Sequence, residues 1–195
     1  MNKREFLAAA AVAATLPASS QAAKSKTASR GPTLLTITGT ISLGNRGPLD
    51  PVLDQMMKKQ GVKFDRAHAF DFSALAALPS LSIRPTLEYD GKPHTLSGPA
   101  VMEVLKAAGA AAGDKTKVVL RAIDGYAVAV PIADIRKYGF IVATHLDGQP
   151  MPLGGLGPLW AVYDADRFGD MMAKPIGERF ALCPWGLYHI EITSM

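Results

Sequence analysis

The apolar positions of this chain change period several times, and each change marks an element. Residues 33–41 (TLLTITGTI) alternate β-branched and apolar side chains, which predicts a strand. FDFSALAALP predicts a short helix, with Asp71 or Ser73 as N-cap and Pro79 as its stop. LSIRPTLEY is extended but broken by Pro85, which cannot donate to a ladder, so an edge or bent strand is expected. In GPAVMEVLKAAGA, the residues Val101, Val104, Leu105 and Ala108 fall on one helical face, with Ser97 as the expected cap. KVVLRAI and YAVAVP predict two strands joined at Asp124-Gly125, a favoured pair for a tight hairpin. A short helix ending at Gly139, a strand and turn in FIVATHLDGQPM, a strand in PLWAVYD and a last alternating strand in WGLYHIEIT follow. Between residues 42 and 66, Gly44, Gly47, Pro48, Pro51 and Gly61 predict mostly loop, with a turn or two of helix over 53–59. No repeat or linker divides the chain. The pattern predicts one α+β domain over residues 33–195 with a mixed, mostly antiparallel sheet and short helices.

The first 22 residues are patterned differently. Lys3 and Arg4 precede an apolar run over residues 6–16, Pro17 breaks it, and Ser20-Gln21-Ala22 supplies small residues for cleavage after Ala22. These are the three parts of a secretory signal peptide. The apolar run is well short of the ~20 residues that span a bilayer. The expectation is an exported, periplasmic protein without stable membrane insertion, its residues 23–32 forming a flexible lead-in. NKREFLAAA resembles the twin-arginine export signal with Lys3 in place of the first arginine, which leaves both the folded and the unfolded export routes open.

Composition adds limits. Of 195 residues, 48% are hydrophobic and 19% charged, enough to pack one core. The single cysteine, Cys183, cannot make an internal disulfide and reads as a small buried hydrophobe. A formal charge of +4, spread without a basic stripe, argues against nucleic acid as a partner. His68, His94, His145 and His189 have no metal-ligand spacing. Asp164, Asp166 and Asp170 lack the glycine and terminal glutamate of a calcium loop, and no serine sits in a nucleophile elbow.

From residue 33 to residue 192 the order of segments resembles the oxidoreductase molybdopterin-binding domain of the sulfite oxidase superfamily. LTITGTI resembles its opening strand, HTLSGPAVMEVLKAAGA its glycine–helix–Ala-Gly element, VVLRAIDGYAVAVPIADI its Asp-Gly-Tyr hairpin, strand and helix. ATHLDGQPM, GPLWAVYD and WGLYHIEI resemble its later strands in order. The resemblance implies a sulfite-oxidase-like fold. In the enzymes of that superfamily, a cysteine before the Asp-Gly-Tyr hairpin ligates molybdenum. The corresponding stretch here, LSIRPTLEYDGKPHTLSG, has none. A soft metal of this kind needs an anionic sulfur, so the departure argues against molybdenum and leans away from catalysis.

Short exported members of the fold without that cysteine resemble pterin-binding regulators acting on the sensory domain of membrane cyclic di-GMP enzymes. This chain is similar in length, leader and helix–hairpin order. It departs in having Asp124-Gly125-Tyr126 for Asn-Asp-Tyr, and LGGLGPLW without an Arg-Asp pair. The resemblance implies a pterin ligand, with the periplasmic domain of a membrane signalling protein as partner. A molybdopterin-dependent oxidoreductase of the sulfite oxidase type is the alternative.

Six residues are candidates for holding a pterin. Asp124 and Tyr126 lie on the hairpin that borders the family's pterin site, and a carboxylate pairs well with a donor edge. Gly155, in the Gly154-Gly155 and Gly157 loop, would allow close backbone approach. Trp160 and Trp185 could stack on a planar ring, Trp185 as a half-exposed ring at a strand start. Arg84 lies where the metal-ligand cysteine is missing and could meet an anionic group.

Overall fold

The computed structural model describes residues 31–194. The expected leader, its cleavage site and residues 23–30 of the expected lead-in lie outside the described residues. The described chain is a mixed α+β structure with mostly antiparallel sheets and few, short helices.

The longest ladders join β1 (Leu35–Gly39), β2 (His68–Phe70), β5 (Thr116–Ala122), β6 (Ala127–Pro131) and β11 (Leu187–Ser194). Their order in the sheet is β2-β1-β11-β5-β6. The closing strand β11 is inserted between β1, which it meets in parallel, and β5, which it meets antiparallel. The first half of β11 departs from the expected alternation: Leu187, Tyr188, His189 and Ile190 are all buried, because Met57 and Val62 cover the face that carries Tyr188, whereas Glu191 and Thr193 further on are only half-buried. β5 keeps its alternation, with Thr116, Val118, Leu120 and Ala122 buried and their neighbours half-buried. Burying each larger aliphatic of that row contributes roughly 1.5–3 kcal/mol.

A second sheet has the order β3-β4-β8-β9, from β3 (Ser80–Ile83), β4 (Leu96–Pro99), β8 (His145–Leu146) and β9 (Gln149–Pro150). β3 lies on its edge, as the Pro85 break predicted. β7 (Ile141–Ala143) pairs instead with β10 (Trp160–Val162). Gly98 of β4 passes so close to β7 that an added Cβ would stand 2.0 Å from the Val142 carbonyl oxygen. Only a residue without a side chain fits there.

Among the described residues five α-helices close the layers: α1 (Gln55–Lys59), α2 (Phe72–Ala76), α3 (Val101–Ala107), α4 (Ile132–Tyr138) and α5 (Gly169–Met172). Asp71 caps α2 by accepting from the Ala74 amide, a cap of about 1 kcal/mol. Its other carboxylate oxygen accepts from Gly31, tying down the start of the described chain. Ser97 is not the cap of α3. It is paired within β4, and Ala100 stands at the cap position, because pairing with β3 keeps the chain extended up to the helix. The predicted apolar face of α3 is buried throughout. α4 ends as expected at Gly139, whose φ of 64° suits a residue without a Cβ. The main core includes the faces of α3 and α4 together with the ring cluster of Tyr138, Phe140, Tyr163 and Phe168. A smaller cluster of Met57, Val62 and Tyr188 packs beside Ile123.

Candidate functional site

The turn between β5 and β6 is held from three sides. The Ala122 amide donates to the Tyr126 carbonyl and the Gly125 amide to the Ala122 carbonyl. Gly125 has φ 97°, a conformation that favours glycine, while Asp124 accepts from the Tyr126 amide at 2.8 Å. The Ile123 amide donates to the Gly186 carbonyl, which joins the turn to the entry of β11. Asp124 thus does the work of an Asx turn with one carboxylate oxygen. Its other oxygen makes no hydrogen bond among the described residues.

The segment before β11 is equally fixed. The Cys183 amide donates to Phe180, the Ala161 amide to Pro184, and the Leu187 amide to Leu159. The Trp160 indole N–H donates to the Cys183 carbonyl at 2.9 Å. These bonds hold Trp185 at the surface, 38% exposed, while Trp160 is wholly enclosed.

A third segment completes the site. Residues 86–93 form a small hairpin: the Leu87 amide donates to Lys92, the Gly91 amide to Leu87, and Thr86 bridges Pro93. Buried Leu87 anchors it, and the Thr86 amide donates to Asp166 at 2.7 Å. At its base His94 is clamped between two carboxylates, Nδ1 at 2.7 Å from Asp147 and Nε2 at 3.0 Å from Asp90. The bonds to Asp147 and then Asp90 raise the His94 pKa above its ordinary value. The hairpin carries Glu88 and Tyr89.

Together these segments enclose a cavity of about 280 Å³, lined by Glu88, Tyr89, Asp124, Tyr126, Phe180, Cys183, Pro184 and Trp185 with Ala122 and Ala181. Its charged lining groups are both acidic. Three half-exposed rings, Tyr89, Tyr126 and Trp185, meet at its mouth. Burial, then the Glu88 carboxylate, push the Tyr89 phenol up to about 12, so it is a neutral donor at physiological pH; the Trp185 N–H acts in the opposite sense. Burial holds the Cys183 thiol well above its usual pKa and therefore protonated. Among the described residues no three His, Cys, Asp or Glu side chains converge as metal ligands do.

Of the six sequence candidates, the structure brings Asp124, Tyr126 and Trp185 into this one cavity. Three do not line it. Trp160 is a core residue, because its strand β10 is covered on both faces and its N–H is already used by Cys183. Gly155 sits in an open turn with nothing crowding it; the glycine of that loop demanded by a close approach is Gly157, where a Cβ would stand 2.5 Å from the Met151 carbonyl oxygen. Arg84 is exposed, its backbone amide on Asp164 and its charge acting on Asp147 rather than on the cavity. Sequence reasoning missed Glu88 and Tyr89. The Asp90-Gly91 pair beside them was an available turn signal, and a hairpin there would have projected both residues together.

The acidic residues near the end of the chain have structural partners. Asp164 and Asp166 accept the Arg84 and Thr86 amides, and Asp170 bonds Lys137 and Tyr138, which bring its pKa down to about 2.

No protein-family model matches the chain, and no curated protein matches it at a significant level.

Proposed function

We propose that this chain is an exported pterin-binding protein of sulfite-oxidase-like fold, which signals the presence of its ligand to a membrane partner. The observation that carries the reading is the convergence of two carboxylates and three aromatic rings on one cavity beside the Asp124-Gly125-Tyr126 hairpin. A pterin is a flat bicycle whose amino-pyrimidinone edge presents adjacent N–H donors. A carboxylate accepts two parallel hydrogen bonds from such an edge, and Asp124 has an oxygen to spare. Glu88 is the second acceptor. Trp185 and the tyrosines supply faces for stacking, worth about 0.5–1.5 kcal/mol per ring pair beyond burial. The volume lies at the lower end of small-ligand pockets, which suits a bicycle more than a large cofactor.

The acidic lining also selects against a phosphorylated pterin, since two carboxylates repel a phosphate and no lining residue is basic. The stretch before the Asp124-Gly125-Tyr126 hairpin has no cysteine to ligate molybdenum, and Cys183, which lines the cavity, lies after that hairpin in the chain. No catalytic residue is assigned.

Titration calorimetry with neopterin, in oxidised and reduced forms, tests the proposal. One-site binding that is weakened in Asp124→Asn supports it. Absence of heat up to millimolar ligand overturns it. Molybdenum at one atom per chain in protein taken from its native cells, with sulfite-dependent turnover, would establish the oxidoreductase alternative instead.

A further inference from the structure

The hairpin that carries Glu88 and Tyr89 to the cavity is closed by one histidine. Burial of Leu87 fixes its inner side, and the Thr86 amide ties its start to Asp166. Beyond Leu87 the tip is exposed at Tyr89 and Asp90. Asp90 accepts from the Lys92 amide with Oδ1 and turns Oδ2 to His94 Nε2 at 3.0 Å. Among the described residues, His94 is the one side chain that holds Asp90.

The opposite side of the imidazole meets a fixed post. Asp147 stands in the turn between β8 and β9, its amide donating to the Thr95 carbonyl at 2.7 Å and its Oδ1 accepting from the Thr95 amide at 2.9 Å. Its Oδ2 faces His94 Nδ1 at 2.7 Å.

Both ring nitrogens therefore face carboxylate oxygens, which as anions can only accept. An imidazolium has two N–H donors and satisfies both. A neutral imidazole has one, so one of the two contacts becomes a pair of facing acceptors. Asp147 makes the shorter contact and is held twice by Thr95, so Asp90 is the partner released, and Tyr89 is its neighbour in the chain. The aspartate pKa values are both lowered, by the bonds to His94 first and then by the Lys92 and Thr95 amides; the Lys92 charge acts in the same sense on Asp90 and the Arg84 charge on Asp147. The carboxylates thus stay ionised, and the proton on His94 is what changes.

We propose that His94 is a proton-operated latch on the ligand cavity: protonated, it holds the 86–93 hairpin closed with Glu88 and Tyr89 against the ligand, and neutral, it frees the tip and weakens binding. The effect is reciprocal, since a ligand that favours the closed hairpin strengthens the hold of His94 on its proton by the same factor. The ring and both carboxylates are partly exposed, so water screens the two pairs and the coupling is about fivefold rather than larger. The gating of binding rests on the pterin reading; the latch itself does not.

The test is calorimetry with neopterin on the full chain, at pH values on both sides of the His94 midpoint found by NMR. Wild-type affinity should fall about fivefold as the pH rises through that midpoint. Asp90→Asn should abolish the fall: its amide oxygen still accepts from Lys92 while its amide nitrogen donates to a neutral His94, so the latch stays shut. Asp147→Asn reaches the same end from the other side of the ring. Ionisation of neopterin itself is common to all three proteins, so the difference between them carries the result. A fall that persists in Asp90→Asn overturns the proposal, as does wild-type binding that does not change through the midpoint. If neopterin binds at no pH, the pterin reading fails and the ligand-free protein judges the latch. Tyr89 stands beside Trp185 at the cavity mouth, whereas Trp160 is fully buried. Acrylamide quenching of tryptophan fluorescence should therefore step up through the same midpoint in the wild type and not in Asp90→Asn. No step, or an equal step in the variant, overturns the latch whatever neopterin does.

Discussion

The Tyr126 hydroxyl donates a 2.6 Å hydrogen bond to the Ala181 carbonyl, fastening the β5–β6 turn to the segment that carries Cys183 and Trp185. The two residues are far apart in sequence, and the bond spans the wall of the candidate ligand cavity. Tyr126→Phe keeps the ring and removes the bond. An exposed hydrogen bond of this kind contributes about 1 kcal/mol or less, so the urea midpoint should fall only slightly. Ligand affinity should fall several-fold, because the cavity wall loses a fixed point; calorimetry on the same sample separates the two effects.

The two tryptophans should respond in opposite ways. Trp160→Ala removes a fully buried ring and its N–H bond to Cys183, and such truncations cost about 3–5 kcal/mol. Trp185→Ala should leave stability within about 1 kcal/mol while weakening pterin binding roughly tenfold. Denaturation and binding curves on both variants decide it; a Trp185→Ala protein that binds normally would remove that ring from the site.

Two histidines set opposite pH responses. His189 is buried and bonded to Thr38 at 2.8 Å. Burial, then the nearby Arg121 and Arg46 charges, push its pKa from 6.5 down to about 4. The folded state therefore binds this proton less readily than the unfolded state. Its contribution is complete above pH 6.5 and is lost as the pH falls through about 4, a span of order 3 kcal/mol. His189→Gln should flatten that part of the stability–pH curve measured by urea unfolding.

His94 shifts the other way. Its protonated form is held by Asp147 and Asp90, so its stabilising effect is present below the ordinary value of 6.5 and is lost as the pH rises through the raised folded pKa. An NMR titration should find its midpoint above 6.5 and should move that midpoint down in Asp147→Asn. Amide exchange across residues 86–93 should speed up above the same midpoint, since the clamp closes the hairpin that carries Tyr89.

The Cys183 thiol should be inert in the folded protein. It is buried and held protonated, and only the thiolate reacts. Alkylation by a maleimide at neutral pH should follow global unfolding, with added urea accelerating it in step with loss of structure. Rapid labelling of native protein would show the thiol to be accessible as an anion.

Elements whose signals are local were legible in the sequence. The Asp71 cap, the buried face of α3, the Gly139 stop of α4 and the Asp124-Gly125 hairpin each depend on residues within one or two turns of each other. Side-chain period reports which face of an element is apolar, and cap and turn chemistry reports where it stops. The mixed, mostly antiparallel α+β class followed from their number and length. The half-exposed ring of Trp185 and the buried sulfur of Cys183 were also legible, from a proline-flanked strand start and an apolar setting.

Long-range pairing was decided by tertiary structure alone. Nothing in WGLYHIEIT states that β11 lies between β1 and β5, or that Met57 and Val62 cover Tyr188 while His189 is buried against Thr38. Ser97 has the chemistry of a cap but is used in a ladder. Arg84 and Glu88 are four residues apart, and only the fold of the hairpin between β3 and β4 sends Glu88 to the cavity and leaves Arg84 outside it. The physical reason is that pairing partners are chosen by the total apolar area and backbone hydrogen bonding that the whole chain can satisfy at once. That sum is invisible to any local window. A site made by three segments brought together from residues 86–93, 122–126 and 180–186 is therefore written in the sequence only in part.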